Sequence, residues 1–152
     1  MKFSKILILY LLSNILSVSS YGQTYGVDSI DFDQTQILIK SLSYKLEIAR
    51  SNAQRRTGLM YRTALGPKQG MIFVYPRLGL HRIWMKNTLI PLTVVWIDDS
   101  EQIIGIKQLQ PCRSDPCASY GVSKPSRYII ELSAEEHDIS VGDKLTEIKR
   151  VR

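Results

Sequence analysis

Alternation between apolar and polar residues runs through most of the chain and predicts strands. Tyr44 to Ala49 alternates regularly, whereas Leu92 to Ile97 is apolar at nearly every position. An alternating strand has one face in water and a continuously apolar strand is buried on both faces, so Leu92 to Ile97 is expected at the centre of a sheet. The other strand candidates are Thr35 to Lys40, Met71 to Tyr75, His81 to Asn87, Gln102 to Gln108, Arg127 to Leu132 and Leu145 to Val151.

The connections between these segments favour antiparallel pairing. Ser51 to Arg62 breaks the two-residue period, and Ser51 and Gln54 have the spacing of a capping box, which predicts one short helix. Asp98 to Glu101 has the length of a hairpin loop. Parallel strands are normally joined by a longer helical crossover, and no such pattern separates the strand candidates that follow this helix. The sequence therefore predicts a mainly β fold, either a small antiparallel barrel or a two-layer roll, with one short helix.

The first residues have the layout of a secretory signal peptide. Lys2 and Lys5 precede an apolar run from Ile6 to Leu16, which is followed by small residues. A membrane-spanning helix needs about 20 apolar residues, so cleavage is favoured over a retained anchor. Residues 1–20 are the predicted signal peptide, 21–34 a flexible lead-in and 35–152 a single domain, so the expected location is periplasmic or extracellular.

Charge and cysteine content narrow the functional classes. The net charge is +6, and it falls to +4 once Lys2 and Lys5 are removed, which leaves 18 basic against 14 acidic residues. The sequence contains no long run of basic residues, so no nucleic-acid partner is expected. Cys112 and Cys117 predict a structural disulfide, because their spacing differs from that of a redox C-x-x-C motif. His81 and His137 lack partners at metal-ligand spacing, and nucleotide and hydrolase motifs are missing, so no metal and no cofactor are predicted.

The richest candidate for chemistry is the stretch from Trp84 to Pro91. In a regular strand Lys86 and Asn87 face opposite ways, and they can line one pocket only if the strand ends or bulges before Pro91. Glu131 is the one acid in a strongly apolar strand, and a buried carboxylate needs a counter-charge, so Lys86 or an arginine is its expected partner. Tyr120 is expected on the loop that the disulfide shapes.

Several motifs in order give the chain a family resemblance. They are Arg56-Thr57-Gly58-Leu59-Met60-Tyr61-Arg62, Gly70-Met71-Ile72-Phe73-Val74, Trp84-Met85-Lys86-Asn87-Thr88-Leu89-Ile90-Pro91-Leu92, Pro111-Cys112, Asp115-Pro116-Cys117 and Tyr120-Gly121. The chain from about Ile37 to Val151 resembles the DUF192 (UPF0127) family. The resemblance implies a β-rich, often exported prokaryotic domain of uncharacterised activity. The chain departs from the family at Thr93, where Asp is usual, and at Ser133 to Glu136, where a glycine-containing segment is usual.

These observations lead to three functional hypotheses. The first is an exported domain that binds a small ligand or an envelope partner in a cleft near the Trp84 to Pro91 stretch. The second is an enzyme that uses Lys86 and Glu131 as acid and base, and the third is a structural or envelope-interaction protein without a ligand. The candidate ligand-binding residues are Arg56, Trp84, Lys86, Asn87, Tyr120 and Glu131.

Overall fold

A computed structural model of the protein describes residues 30–148. Residues 1–29, with the predicted signal peptide and most of the lead-in, lie outside the described residues, as do residues 149–152. The elements are β1 (Asp33–Ile39), β2 (Leu42–Ala49), α1 (Asn52–Thr57), β3 (Gln69–Gly79), β4 (Ile83–Trp84), β5 (Leu92–Ile97), β6 (Ile103–Leu109), β7 (Ser119–Tyr120), β8 (Ser126–Ser133) and β9 (Leu145–Thr146). The prediction of a mainly β fold with one short helix is confirmed. Within the described range, no helix combines the length and hydropathy needed to cross a membrane.

Seven of these strands form one curled sheet in the order β6-β5-β8-β3-β2-β1-β9, and β4 pairs with β7 in a separate two-stranded ribbon. The described pairs are antiparallel except for β2 with β3, which run parallel because α1 and the turn after it carry the chain back to the same end of the sheet. The sheet curls so that Ile103 N–H in β6 donates to Asp143 O, just before β9, at 2.8 Å. The sheet thereby forms a half-barrel, in agreement with the predicted barrel-like fold.

Apolar side chains fill both faces of the sheet. β5 is buried at all six positions and lies between β6 and β8, as predicted for a central strand. Val95 and Ile97 point into a first core on one face. Val94 and Trp96 point into a second core on the opposite face, to which Leu59, just beyond α1, also belongs. The second core lies beneath the residues that form the candidate site.

The helix is shorter than the sequence pattern predicts. The capping box between Ser51 and Gln54 is present, but α1 ends at Thr57 instead of continuing to Arg62. Gly58 stops it by adopting a φ of +48°, a conformation that favours glycine. A Cβ at Gly58 would lie 3.1 Å from Cζ of Phe73, so the end of α1 packs closely onto β3.

Several strand boundaries also differ from the predicted ones. The strand predicted from His81 to Asn87 is reduced to the two residues of β4, and β3 extends beyond Tyr75 to Gly79. β1 begins inside the predicted lead-in, at Asp33, because its first residues pair with β2. The strand predicted from Leu145 ends at Thr146, and part of that prediction lies outside the described residues.

Candidate functional site

The stretch from Trp84 to Pro91 leaves the two-stranded ribbon as a turn. β4 ends at Trp84, and the backbone N–H of Thr88 donates to Met85 O at 3.3 Å. Asn87 adopts a positive φ of 55°, which asparagine accepts more readily than most residues. The strand thus ends before Pro91, and Lys86 and Asn87 line one small cavity.

The opposite wall of that small cavity is a loop closed by the predicted disulfide between Cys112 and Cys117, whose Cα atoms lie 5.7 Å apart. The backbone N–H of Cys112 donates to Met85 O at 3.3 Å, and the Lys86 ammonium lies 3.7 Å from Asp115 Oδ1. Both charged side chains are more than a third exposed, so this ion pair contributes at most about 1 kcal/mol. The cavity measures about 160 Å³, which is small for a ligand site.

Replacing both cysteines by serine is expected to lower the free energy of unfolding by about 2 kcal/mol, because the cross-link restricts the unfolded chain. Urea unfolding of the wild-type protein and of the double variant, without reductant, measures this difference. A reductant should destabilise the wild type by a similar amount and leave the double variant unchanged. Equal stability of the two oxidised proteins would contradict a structural role for the disulfide.

Glu131 lies in the second core, and the structure does not pair it with Lys86. Its neighbours in the sheet are Met71 of β3 and Val94 of β5, and it is only 5% exposed. A Cβ at Gly58 would lie 3.7 Å from Glu131 Oε2, which places the carboxyl beneath the end of α1. Burial raises the pKa of Glu131 to about 8, and no cation among the described residues counteracts it. The expected pairing with Lys86 or an arginine is therefore wrong.

A larger groove is lined by Trp84 and other residues of α1 and β4. Its volume is about 340 Å³, and arginine is its most frequent residue. It is lined by Asn52, Arg55, Arg56, Tyr75, Arg82, Ile83, Trp84 and Ser119. None of these lining residues, all within the described part of the chain, is acidic. We call this cavity the arginine groove.

Two of its arginines are held by neutral acceptors. Arg55 Nη1 donates to Val74 O at 2.9 Å, and its guanidinium lies 5.2 Å from the centre of the Tyr75 ring. Arg82 donates to Ser119 Oγ through Nε at 3.0 Å and to Ser119 O through Nη2. No carboxylate neutralises either guanidinium at these contacts, so two arginines without an acidic partner line the groove.

Arg56 and Trp84 are the more open members of the groove. Arg56 is exposed, and its side chain makes no hydrogen bond or ion pair with another described residue. Trp84 is 45% exposed, which is high for so large an apolar ring. Lys86 Nζ lies 5.8 Å from the centre of the Trp84 ring, so a cation lies close to this ring as well.

Tyr75 forms a fixed wall of the groove. The ring of His81 stacks on it with centroids 3.6 Å apart, and Trp96 Nε1 donates to His81 O at 3.1 Å, which ties this wall to the second core. Burial raises the pKa of Tyr75 to about 12, although nearby Arg55 opposes the shift. The Tyr75 hydroxyl is therefore neutral at physiological pH and is able to donate a hydrogen bond.

The structure distributes the predicted site residues over separate places. Arg56 and Trp84 line the arginine groove, whereas Lys86 and Asn87 line the small cavity at the disulfide loop. Tyr120 belongs to β7, opposite Ile83 of β4, and its side chain packs against the second core. Glu131 lies in that core, so the predicted residues do not form one pocket.

Sequence reasoning missed Arg55, Arg82 and Ser119. Arg82 had a detectable signal, since it alternates with the exposed Trp84 and so shares its face. Arg55 and Ser119 had none, because they reach the groove only through the packing of α1 and the pairing of β7 with β4. Local patterns do not encode such long-range neighbours.

Fold and site together define a class of protein: a half-barrel of curled sheet that carries an open groove of arginine and aromatic side chains. The described residues contain no cluster of three or more histidine, cysteine, aspartate or glutamate side chains that could hold a metal. The chain belongs to the DUF192 family, described as "Uncharacterized ACR", whose model matches residues 35–147. The family resemblance drawn from the sequence motifs is thereby confirmed.

Two solved structures share this fold. One, from Sinorhizobium meliloti 1021, is described as a candidate transcription regulator; it is 28% identical, with a TM-score of 0.70 over 78% of this chain and 96% of that one. The other, a protein of unknown function from Novosphingobium aromaticivorans DSM 12444, is 26% identical, with a TM-score of 0.65 over 74% of this chain and 84% of that one. No curated protein matches the chain significantly.

Proposed function

We propose that this protein is an exported domain that binds a small anionic ligand in the arginine groove. The observation that carries the proposal is the convergence of Arg55, Arg56 and Arg82 on one cavity without a lining acid. A guanidinium presents parallel N–H donors that match the two oxygens of a carboxylate or a phosphate. The exposed face of Trp84 suits an apolar or ring-shaped part of the same ligand.

The groove also has the size and rigidity of a binding site. Its volume of about 340 Å³ is near the lower end of the range for small-molecule sites, about 300 to 1,000 Å³. Arg55 and Arg82 are already fixed by Val74 and Ser119, so ligand binding orders few further side chains. Preorganisation of this kind lowers the entropic cost of association.

Export is supported by two independent features. The first residues have the layout of a signal peptide, and Cys112 and Cys117 form a disulfide, which persists in oxidising compartments. Periplasmic or extracellular placement would bring the groove into contact with small molecules and envelope components.

The alternatives have less geometric support. Lys86 pairs with Asp115 at the surface, whereas Glu131 is buried beneath α1, so the acid–base hypothesis lacks the common cleft that it needs. A purely structural role would leave the unpaired Arg56 and the exposed Trp84 unexplained. An envelope partner remains compatible with the groove if it presents an anionic group there.

Galacturonate is a suitable test probe, and its neutral counterpart galactose, which lacks the carboxylate, is the matched control. Binding of galacturonate to the mature protein should change the fluorescence of the exposed Trp84 and should weaken as salt is added. Arg56→Gln should weaken it by roughly tenfold to a hundredfold, since a lost charge-assisted hydrogen bond corresponds to about 1.5 to 3 kcal/mol.

Two control variants distinguish binding in the arginine groove from non-specific attraction to positively charged surface residues. Arg113→Gln removes an exposed arginine outside the arginine groove and should leave the affinity unchanged. Trp84→Phe keeps an aromatic ring but should abolish the fluorescence response, which assigns the signal to Trp84 and not to the buried Trp96. Equal binding of galactose and galacturonate, or equal losses in Arg56→Gln and Arg113→Gln, would contradict the proposal.

A further inference from the structure

A second and larger cavity adjoins the arginine groove. It measures about 550 Å³ and combines basic, apolar and hydroxyl-bearing side chains with a single acid. Its lining residues are Arg50, Val74, Tyr75, Pro76, Leu78, Asp99, Arg127 and Tyr128. Tyr75 lines both cavities, so they lie on either side of this one residue.

The boundary between the two cavities is a ridge built from Arg55 and Tyr75. Arg55 lines the arginine groove, but its guanidinium donates to the backbone oxygens of Arg50 and Val74, two residues of the second cavity. The same guanidinium lies 5.2 Å from the Tyr75 ring, which His81 holds by stacking. The ridge is therefore rigid, and it carries a positive charge at the point where the cavities meet.

Charge continues across this ridge. Beyond it, Arg127 donates through Nη1 to Pro76 O at 2.5 Å, which fixes its guanidinium at the second cavity. Arg50 lies there too, in an ion pair with Asp33 at 3.2 Å. A ligand that spans both cavities thus meets Arg56 and Arg82 on one side of the ridge and Arg127 on the other, with Arg55 between them.

The second cavity also shows which chemistry such a ligand needs. Asp99 lines it, and a carboxylate accepts hydrogen bonds from hydroxyl groups, which a sugar ring supplies and a bare phosphate chain does not. Val74, Pro76 and Leu78 provide apolar surface. A sugar ring with a carboxylate supplies all three partners: an anion for arginine, hydroxyls for Asp99, and apolar C–H faces for the aliphatic and aromatic side chains.

We propose that the two cavities form consecutive subsites for a linear acidic oligosaccharide, one that carries a carboxylate on each sugar ring. This inference rests on the proposed function, because it takes the arginine groove as the first subsite. It adds the substrate class, and it assigns Arg127 and Asp99 to a second subsite beyond Tyr75.

Galacturonate oligomers of increasing length test the proposal with the mature protein. The hexamer should bind roughly tenfold more tightly than the monomer, because only the longer chain reaches the second subsite. Arg127→Gln should bring the ratio of hexamer to monomer affinity close to one. Arg113→Gln should leave this ratio unchanged, and thermal unfolding of each variant shows whether it is folded. If Arg127→Gln is too unstable to be measured, Arg127→Lys replaces it. Because lysine keeps the charge, the ratio of hexamer to monomer affinity should then lie between that of the wild type and one.

Two outcomes would overturn this inference alone, and a third would overturn the proposed function with it. Equal affinities of monomer and hexamer would overturn the second subsite and leave monomer binding in the arginine groove intact. A hexapeptide of glutamate that binds as tightly as the galacturonate hexamer would overturn the saccharide class. Failure of both monomer and hexamer to bind would overturn the proposed function and this inference together.

Discussion

Replacing Glu131 with glutamine is expected to stabilise the protein at alkaline pH by up to about 5 kcal/mol and to change its stability little at acidic pH. The reason is burial: the carboxyl lies in the second core beneath the end of α1, and its pKa is raised from 4.5 to about 8. Each unit of pKa difference between the folded and unfolded states corresponds to about 1.4 kcal/mol.

The sign follows from proton binding. Between pH 4.5 and about 8 the folded protein holds a proton on Glu131 that the unfolded chain has released. Unfolding therefore releases this proton, so the contribution of Glu131 lowers the free energy of unfolding as pH rises through this window. Above about pH 8 this contribution no longer changes with pH. Glutamine does not titrate, so the Glu131→Gln variant should lack this part of the pH dependence.

Urea unfolding of both proteins across this pH window measures the effect as a difference, which cancels the titration of all other groups. Glu135→Gln is the matched control, because Glu135 is an exposed glutamate just beyond the same strand. Its stability curve should run parallel to that of the wild type. Parallel curves for Glu131→Gln as well would show that the Glu131 carboxyl is not buried as the structure places it.

The buried carboxyl also bears on the proposed ligand site. Glu131 lies near enough to Tyr75 to contribute to its raised pKa, and Tyr75 forms the wall shared by the two cavities. A proton on Glu131 keeps negative charge away from that wall at neutral pH. The arginine groove therefore keeps its positive character, which an ionised Glu131 would partly cancel.

The parts of this fold that the sequence predicts are those that local patterns determine. β5 was predicted with its observed bounds and its burial on both faces, because six nearly continuous apolar residues leave no other placement. The capping box at Ser51 was also found, since it depends on residues three apart. The end of α1 was predicted too late, at Arg62, because the close contact of Gly58 with Phe73 of β3 depends on the tertiary structure.

The candidate site was less predictable for the same reason. Glu131 was recognised as unusual from its apolar neighbours, but its partner was predicted wrongly, because the face toward which a strand residue points depends on the pairing of β8 with β3 and β5. Arg56 and Trp84 were both predicted as site residues, yet nothing local indicated that they share a groove. Their proximity depends on the packing of α1 beside β4, which is a tertiary contact.

Gly70→Ala is expected to lower the free energy of unfolding by about 3 kcal/mol or more, because the added methyl has no space. A Cβ at Gly70 would lie 1.9 Å from the backbone oxygen of Glu131, a distance that forces β3 and β8 apart. Both strands are interior strands of the sheet, so the displacement would be transmitted to their other neighbours. Urea unfolding near pH 5 measures the loss while Glu131 remains largely protonated in the folded protein.

Gly66→Ala is the matched control for this substitution. The atoms nearest to a Cβ at Gly66 belong to the side chain of Gln69, at 2.9 Å, and that flexible side chain can move away. A loss below about 1 kcal/mol is therefore expected there, and equal losses at the two glycines would contradict the close approach of β3 to β8.

If Gly70→Ala still folds, the separated strands should admit water to the Glu131 carboxyl and lower its pKa toward 4.5. Its stability should then depend less on pH than that of the wild type, which links the close packing at Gly70 to the protonation of the buried acid.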